Sequence, residues 1–300
     1  MVDPDAIRTQ LIVIYGDQTK KTMNRFKKSV FLKETATMQQ QFAEKRAAMP
    51  EGTNKVLDRR SLETDNKNLL KYLNSGSSVL DVGCGSGAIT RGIAGRAGKV
   101  TGIDTSESLI ALARKNYGDI SNLEFQVADI HTFDTTERYD IITAARVLQW
   151  LSDPKEALRK LKPLLKEGGV LAILDYNHEK IQWHPALPVE MQKFYDAFLQ
   201  WRKDAGFDNA IADNLSQLFA KLNFKDINLE VQFELTQKRD ADFASKAGIW
   251  SEVAKTRGNQ LVKDKYITEE ERLAAIAAYD SWIANEGQLM QMYLLAVEAK

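Results

Sequence analysis

The sequence predicts an α/β fold: a doubly wound, mostly parallel seven-stranded sheet with an antiparallel edge and additional helices. Between residues 79 and 174, short apolar runs alternate with helical patterns, which is typical of βαβ units. Each run is almost continuously apolar, as expected for strands covered by helices on both faces. Two later runs flank helical segments, and we expect them to supply the antiparallel edge.

The N-terminal part of the chain is predicted to be helical. Helices are expected on either side of Gly16, and a turn at residues 50–54 separates them from a helix over about residues 58–73. Residues 1–60 carry 12 Lys plus Arg against 7 Asp plus Glu, whereas the whole chain is neutral. We interpret residues 1–60 as a helical extension or lid that packs on a more acidic body.

The central part of the chain supplies five strands and the helices between them. In order, the predicted elements are a strand at 79–82, a helix at 88–97, a strand at 99–103, a helix at 106–117, strands at 123–127 and 139–144, a helix at 154–165 and a strand at 169–174. Ser106 and Asp153 can cap the helices that follow them, and Pro154 suits a first helical position.

The C-terminal part is expected to complete the sheet and to cover one of its edges. The predicted elements are helices at 185–206, 209–222, 240–255 and 268–285, and strands at 226–235 and 290–297. Thr268 and Glu271 have the spacing of a capping box. We therefore predict one cofactor domain over residues 61–300, with helical cap insertions at about 178–222 and 240–286.

Composition excludes several classes of protein. The single cysteine excludes an intramolecular disulfide framework and a cysteine-rich zinc site, and three histidines argue against a histidine-rich centre, so we predict no metal. The N-terminus lacks a secretory pattern, and the apolar runs are too short to span a bilayer. We expect no membrane span and a reducing, cytoplasmic setting.

A basic segment at Thr19–Lys33 contains six Lys or Arg residues and no acid. One interpretation is a helix that docks on RNA or on an anionic lipid surface. We favour the other, an amphipathic helix packed against the domain or against a second copy of the chain in a homodimer. A nucleic-acid partner is therefore not our first expectation.

The strongest functional signal is a glycine-rich turn between a strand and a helix, Asp81-Val82-Gly83-Cys84-Gly85-Ser86-Gly87. Its glycines allow a sharp turn and close approach of a ligand, and the helix N-terminus offers N–H groups. Asp104 and Asp129 end the next two strands, where they can accept hydrogen bonds from ribose hydroxyls and an adenine amino group, or else cap helices. A dinucleotide gives no role to Asp81 or Asp129, so the three carboxylates favour an adenosine ligand with an amino-acid tail.

Over about residues 75–177 the chain resembles the class I S-adenosylmethionine (SAM)-dependent methyltransferases, a Rossmann-like family. The resemblance rests on five segments in order, which are Asp81–Gly87, Gly102-Ile103-Asp104-Thr105-Ser106, Val127-Ala128-Asp129-Ile130, Tyr139-Asp140-Ile141-Ile142 and Leu164-Leu165-Lys166-Glu167-Gly168-Gly169. It implies SAM as the cofactor. The cofactor-binding residues that it implies are Asp81, Gly83, Cys84, Gly85, Gly87, Asp104, Thr105, Asp129, Ile130 and Ala145.

The resemblance also assigns parts of the cofactor to these positions. The glycine loop and Ala145 would lie near the methionine moiety, and Asp104 would bind the ribose. Asp129 would bind the adenine amino group, with Ile130 beside the ring. Cys84 shows no sign of being a nucleophile.

The stretch at 147–154 resembles the subgroup that methylates small metabolites, including quinone precursors and carboxylic acids. That subgroup often has a histidine where this chain has Gln149 and Trp150, which leaves the acceptor open. We predict Gln149 and His178 as catalytic candidates, His178 being placed at the rim where a base can reach an acceptor. Methyl transfer to oxygen by in-line displacement is the first hypothesis. The alternatives are an RNA methyltransferase and a SAM-binding regulator without turnover.

Two further expectations concern residues around this rim. Tyr195, Phe198 and Trp201 share one helical face, which favours packing over substrate recognition. Arg59 and Arg60 could reach the SAM carboxylate, but we expect them to be exposed to solvent.

Overall fold

The computed structural model describes residues 42–50 and 57–300. Residues 42–47 are helical. The predicted helices on either side of Gly16 and the basic segment Thr19–Lys33 lie outside the described residues. The RNA alternative, which depends on that segment, therefore stays a prediction.

Ten strands form two sheets. In chain order they are β1 (Ser78–Val82), β2 (Lys99–Asp104), β3 (Leu123–Val127), β4 (Tyr139–Ala145), β5 (Leu165–Tyr176), β6 (Gln182–His184), β7 (Asn228–Val231), β8 (Glu234–Gln237), β9 (Leu289–Met292) and β10 (Leu294–Ala299). The larger sheet has the order β3-β2-β1-β4-β5-β10-β7. Strands β1 to β5 are parallel, and β10 is antiparallel to both β5 and β7. This confirms the predicted seven-stranded sheet with an antiparallel edge.

Ten further helices are described beyond residue 57. They are α1 (Leu62–Asp65), α2 (Ala88–Ala94), α3 (Glu107–Tyr117), α4 (Pro154–Leu161), α5 (Val189–Asp204), α6 (Ile211–Lys221), α7 (Phe243–Ala247), α8 (Ile249–Thr256), α9 (Gly258–Lys263) and α10 (Glu269–Asn285). The predicted caps are confirmed: the Ser106 side chain accepts from Leu109 N, the Asp153 side chain accepts from Glu156 N, and Thr268 and Glu271 form a capping box.

Helices cover both faces of the larger sheet, as its apolar strands predict. Val79 and Leu80 are adjacent in β1, point to opposite faces and are completely buried. Val79 packs in a cluster with residues of α1, α2 and α3, whereas Leu80 packs with residues of α4 and α6. Helix α6 falls inside the range assigned to the first cap insertion, yet it packs on the sheet. The division into residues 1–60 and 61–300 stays a prediction.

The smaller sheet, in the order β6-β9-β8, joins α5 and α7 to α10 in a cap above the larger sheet. The cap was only partly predicted, because residues 226–235 and 290–297 were each expected to form one strand. The first run is interrupted at Gln232 and Phe233 and the second at Tyr293. Each run therefore contributes one strand to the larger sheet and one to the smaller sheet. The alternation of polar and apolar residues does not reveal this change of sheet.

Local breaks explain the remaining differences from the predicted helices. The helix expected over 58–73 is divided at Asn66 into α1 and a 3₁₀ turn, Lys67–Lys71. Helix α4 ends before Pro163, because proline lacks the N–H that a continuing helix needs. Gly248 separates α7 from α8, and α9 was missed.

Strand β10 is fixed inside the sheet by a buried carboxylate. Glu298 is 1% exposed and accepts hydrogen bonds from Asn68 Nδ2 at 3.2 Å and from the Tyr72 hydroxyl at 2.7 Å. Lys71 Nζ lies 2.7 Å from the same carboxylate. These donors hold the pKa of Glu298 below its usual value, against the effect of burial. The strand is thereby joined to the region around α1.

Among residues 42–50 and 57–300, no helix is both long and apolar enough to cross a bilayer.

Candidate functional site

The glycine loop between β1 and α2 adopts a backbone that requires glycine. Gly83, Gly85 and Gly87 have left-handed φ angles of 70°, 55° and 82°. A Cβ atom on Gly87 would lie 2.7 Å from Phe125 Cζ, so a side chain there would collide with its neighbours. The N–H groups of Gly83 and Cys84 donate to the Ile103 carbonyl at 2.7 and 3.0 Å. The loop is therefore held against β2 and leaves its other surface open.

Asp104 connects this loop to the next helix. Its two carboxylate oxygens accept from Gly85 N and from Ser106 N, both at 2.9 Å. The carboxylate is half-buried, and burial raises its pKa. Thr105, which follows, is exposed at the same edge of the sheet. Ser106, and not Asp104, is the cap of α3, so Asp104 orients the residue before the helix and also lies beside the glycine loop.

Asp81 is buried beneath the loop. Its Oδ2 accepts from Thr90 Oγ1 at 2.7 Å, which ties β1 to α2. Burial raises the pKa of Asp81 to about 7, although the Thr90 hydrogen bond opposes the shift. Burial, together with Asp81 and Asp104, raises the pKa of the Cys84 thiol well above its usual value. The thiol is protonated near neutrality, which agrees with its expected lack of nucleophilic character.

Asp129 lies beyond the end of β3, the edge strand next to β2. It is half-buried, and its Oδ1 accepts from His131 N at 2.7 Å. Among the described residues, its Oδ2 has no hydrogen-bond partner, so one oxygen remains available to a donor. Ile130, beside it, is 7% exposed and packs in the core with Leu148 and Leu158. Asp129 therefore offers a carboxylate oxygen next to the buried apolar side chain of Ile130.

Ala145 ends β4 and faces the glycine loop across a small pocket. This loop pocket is lined by Leu57, Arg60, Asp81, Gly83, Cys84, Gly85, Ser86, Ala88, Ile89 and Ala145. The structure thus brings together the loop residues and Ala145 from separate strands.

A second cavity, of about 130 Å³, adjoins the loop pocket. Leu57 and Arg60 line both spaces. The other residues around this rim cavity are Met49, Arg146, Gln149, Trp150, Tyr176, His178, Phe198, Ile249, Trp250, Glu252, Val253, Thr256, Arg257 and Met292. The rim cavity is therefore enclosed by the ends of β4 and β5, by the cap and by residues near 50–60.

Gln149 and His178 meet at the rim cavity. His178 Nε2 lies 2.6 Å from Gln149 Oε1, and Gln149 Nε2 lies 3.2 Å from the Arg146 carbonyl. Since the Gln149 amide donates to that carbonyl, its Oε1 is the acceptor and His178 Nε2 carries the proton. Among the described residues, His178 Nδ1 has no hydrogen-bond partner. Burial, together with Arg202, lowers the pKa of His178 well below its usual value, so the imidazole is neutral at pH 7.

Buried arginines around the rim cavity were not predicted. Arg146 follows β4 with a left-handed φ of 65° and is 5% exposed. The guanidinium carbons of Arg202 and Arg257 lie 4.5 and 4.4 Å from the centroid of the Trp150 ring. The position of Arg146 directly after a strand was the one available sequence signal. The other two are placed by the cap.

The remaining expectations have mixed outcomes. Tyr195, Phe198 and Trp201 are buried in the cap core, which confirms packing as their main role. Arg59 is exposed, as predicted. The same prediction was wrong for Arg60, which is half-buried and lines both the loop pocket and the rim cavity.

Comparison with known families agrees with this arrangement of loop and sheet. A family model described as "Methyltransferase domain" matches residues 73–248, which is more than half of the chain. The match begins before β1 and extends into the cap.

Curated relatives match the central region. The ubiquinone biosynthesis O-methyltransferase of Coxiella burnetii is 38% identical over 110 residues, which cover 34% of this chain and 47% of the relative. The malonyl-[acyl-carrier protein] O-methyltransferase of Acetivibrio thermocellus is 33% identical over 127 residues, covering 42% of this chain and 41% of the relative. The chain spans about half the length of the curated relatives it matches.

A solved structure shares the fold. The phosphoethanolamine N-methyltransferase 2 of Haemonchus contortus, in complex with S-adenosyl-L-methionine, superposes with a TM-score of 0.50 at 18% identity. The alignment covers 84% of this chain and 53% of that one.

Proposed function

This chain belongs to the class I S-adenosylmethionine-dependent methyltransferases, and on that premise we propose that it transfers a methyl group from SAM to an oxygen atom of a small molecule. The observation that carries the proposal is the adjacency of two spaces, a glycine-loop pocket and a rim cavity lined by His178, whose Nδ1 has no hydrogen-bond partner among the described residues. The two curated relatives named above are O-methyltransferases, which supports oxygen as the acceptor atom.

The residues of the loop pocket fit SAM. Gly83 and Gly85, which have left-handed φ angles, line the pocket with backbone that carries no side chain. We propose that the loop residues Asp81, Gly83, Cys84, Gly85 and Gly87, together with Ala145, surround the methionine moiety. Asp104 and Thr105 would hold the ribose, and Asp129 and Ile130 the adenine. Carboxylate acceptors suit hydroxyl and amino donors, and Asp129 Oδ2 is available for this purpose.

The neutral imidazole of His178 suits a general base. When bound, SAM supplies a sulfonium-activated methyl group, which an acceptor oxygen takes in line while the electron pair of the carbon–sulfur bond stays on sulfur. Gln149 fixes the tautomer in which Nδ1 keeps a lone pair, and burial keeps that nitrogen unprotonated at pH 7. We propose that Nδ1 receives the proton of the acceptor hydroxyl. Gln149 is a positioning residue that acts through His178.

Calorimetric titration with SAM tests the cofactor assignment. We expect saturable binding, weakened about tenfold in Asp129→Ala and more strongly in Asp104→Ala, because hydrogen bonds to charged groups contribute about 1.5–3 kcal/mol. Asp119→Ala, which removes an exposed carboxylate in the turn after α3, is the matched control and should bind normally. Absence of saturable binding, or normal binding in both site variants, would refute the assignment.

A further inference from the structure

Arg146 has one guanidinium nitrogen without a partner at a buried position. Its side chain is 3% exposed; Nε donates to the Tyr176 hydroxyl at 2.8 Å and Nη2 pairs with Glu234. Among the described residues, Nη1 has no hydrogen-bond partner. A buried charged donor without a partner destabilises the fold, because its lost hydration is not replaced. Arg146 lines the rim cavity, so its guanidinium group lies beside the space that a ligand would occupy.

The rim cavity carries an excess of positive charge. Its charged lining residues among those described are Arg60, Arg146, Arg257 and Glu252. Glu234 pairs with Arg146, which leaves a net charge of about one positive unit. Arg60 has no ion pair among the described residues, and Arg257 donates to the carbonyls of residues 46–48. A monoanion would balance this charge, whereas a phosphate dianion would exceed it.

Two of these cations are opposed by burial and by a neighbouring arginine, whereas Tyr176 and Glu234 raise the pKa of Arg146 against the effect of burial. Burial and the nearby charge of Arg146 lower the pKa of Arg60. Burial and the charge of Arg202 lower the pKa of Arg257 to about 9. An anion placed among these groups would relieve the repulsion and stabilise their charged forms.

The rest of the rim cavity is apolar and largely aromatic. Trp150, Tyr176, Phe198 and Trp250 contribute rings, and these residues are joined by Ile249, Val253, Met49 and Met292. Such walls favour an apolar body of matching size by removing its surface from water. The cavity therefore combines an apolar wall with a cationic end.

The cationic end lies next to the loop pocket. Arg60 lines both spaces, and Arg146 directly follows Ala145, which lines the loop pocket. A ligand anchored at Arg146 therefore lies beside the place proposed for the methionine moiety. An arginine-bound carboxylate is a weakened nucleophile, because its electron density is held by the guanidinium. The carboxylate is thus an anchor, and another oxygen of the ligand is the methyl acceptor.

From these observations we infer that the acceptor is an amphipathic carboxylate: its carboxylate accepts hydrogen bonds from Arg146 Nη1 and Arg60, and its apolar body packs on the aromatic wall of the rim cavity. This inference rests on the proposed function, since it names the substrate class of the same site. It assigns Arg146 and Arg60 as specificity-determining residues.

Calorimetry with 2-naphthoate and the neutral isostere 2-naphthamide tests the inference on protein saturated with S-adenosylhomocysteine. Naphthoate should bind at least about tenfold more tightly than naphthamide, because a charge-assisted hydrogen bond exceeds a neutral one. Arg146→Gln and Arg60→Gln should each reduce this preference to about threefold or less. Arg159→Gln, which changes an exposed arginine paired with Glu156 on α4, should keep the full preference.

Each remaining outcome has a defined meaning. Equal affinity for the acid and the amide, a preference unchanged in both site variants, or no naphthoate binding at millimolar concentration would overturn the inference. Arg146→Lys, which retains the charge, replaces Arg146→Gln if circular dichroism shows that the latter is unfolded, and it should lose part of the preference. Failure to bind S-adenosylhomocysteine would instead overturn the proposed function, and the inference with it.

Discussion

At the residue scale, His178 and Gln149 form a hydrogen-bonded pair although they are distant in sequence. Each is placed on a short 3₁₀ turn, Leu148–Trp150 after β4 and His178–Lys180 after β5. Because β4 and β5 are parallel neighbours, both turns lie at the same edge of the sheet. The resulting 2.6 Å contact fixes the imidazole, which has no carboxylate beside it in the described part of the chain.

Replacing Gln149 with glutamate should raise the pKa of His178. A carboxylate beside Nε2 favours the imidazolium, against burial and Arg202, which lower the pKa in the native protein. If His178 is the base, the acid limb of the pH–rate profile would move to higher pH, since the base works in its neutral form. The measurement is a carbon–proton NMR titration of the three histidines, with His178 assigned by its loss in His178→Gln.

Gln217→Glu, at an exposed position of α6, is the control for added charge and should leave the His178 titration unchanged. An unaltered titration in Gln149→Glu would contradict the hydrogen bond and the positioning role of Gln149.

The sequence was enough to select His178 and Gln149 as candidates, but not the buried arginines Arg146, Arg202 and Arg257. His178 and Gln149 follow strands, and strand ends can be located from apolar runs. Arg257 is buried through hydrogen bonds to carbonyl groups about 210 positions earlier in the chain, at residues 46–48. Composition and local pattern make such a residue indistinguishable from an exposed arginine, so its role depends on tertiary structure.

At the scale of elements, the glycine loop shows how one backbone conformation joins a strand, a helix and a site. Its sequence was sufficient to predict the turn, because left-handed φ angles strongly favour glycine. The borders of the cap elements were harder to predict. Polar–apolar alternation continues through Gln232 and Phe233, although the chain changes sheets there.

Gly87→Ala should destabilise the protein more than Gly168→Ala. Both glycines have left-handed φ angles, 82° and 75°, so both substitutions carry about 1–2 kcal/mol of backbone strain. A Cβ at Gly87 also meets Phe125 and Tyr117, which adds about 1–3 kcal/mol, whereas nothing lies within 4 Å of a Cβ at Gly168. Urea unfolding measures the difference. Equal losses of unfolding free energy would show that the crowding around Gly87 relaxes without cost.

At the scale of the whole molecule, the cap and the larger sheet share a core. The apolar cluster of the cap includes Leu174 and Tyr176 of β5 and Leu294 and Ala296 of β10. The mostly parallel seven-stranded sheet with its antiparallel edge was predicted correctly, since the number of strands and their alternation with helices follow from the apolar segments. The second sheet was missed, because its three short strands come from regions that are distant in sequence.

Because of this shared core, the cap and sheet should unfold together. All five tryptophans belong to the cap cluster or pack against it, so tryptophan fluorescence reports on the cap. Far-UV circular dichroism reports on the helices and strands of the whole chain. We expect coincident urea transitions from the two probes, as in a two-state unfolding. A fluorescence midpoint clearly below the circular dichroism midpoint would identify the cap as a separate unit.

The place of β10 also constrains how the protein is made. In the larger sheet β7 pairs with β10 alone, and β10 completes the second side of β5. Residues 294–299 are the last of the described elements to leave the ribosome. The part of the sheet formed by β1 to β4 can therefore assemble during translation. Strands β5 and β7 keep unpaired edges, and much of the cap stays incomplete, until β10 has been synthesised. A nascent chain of this protein depends on the timely arrival of its β10 to avoid pairing with a neighbour.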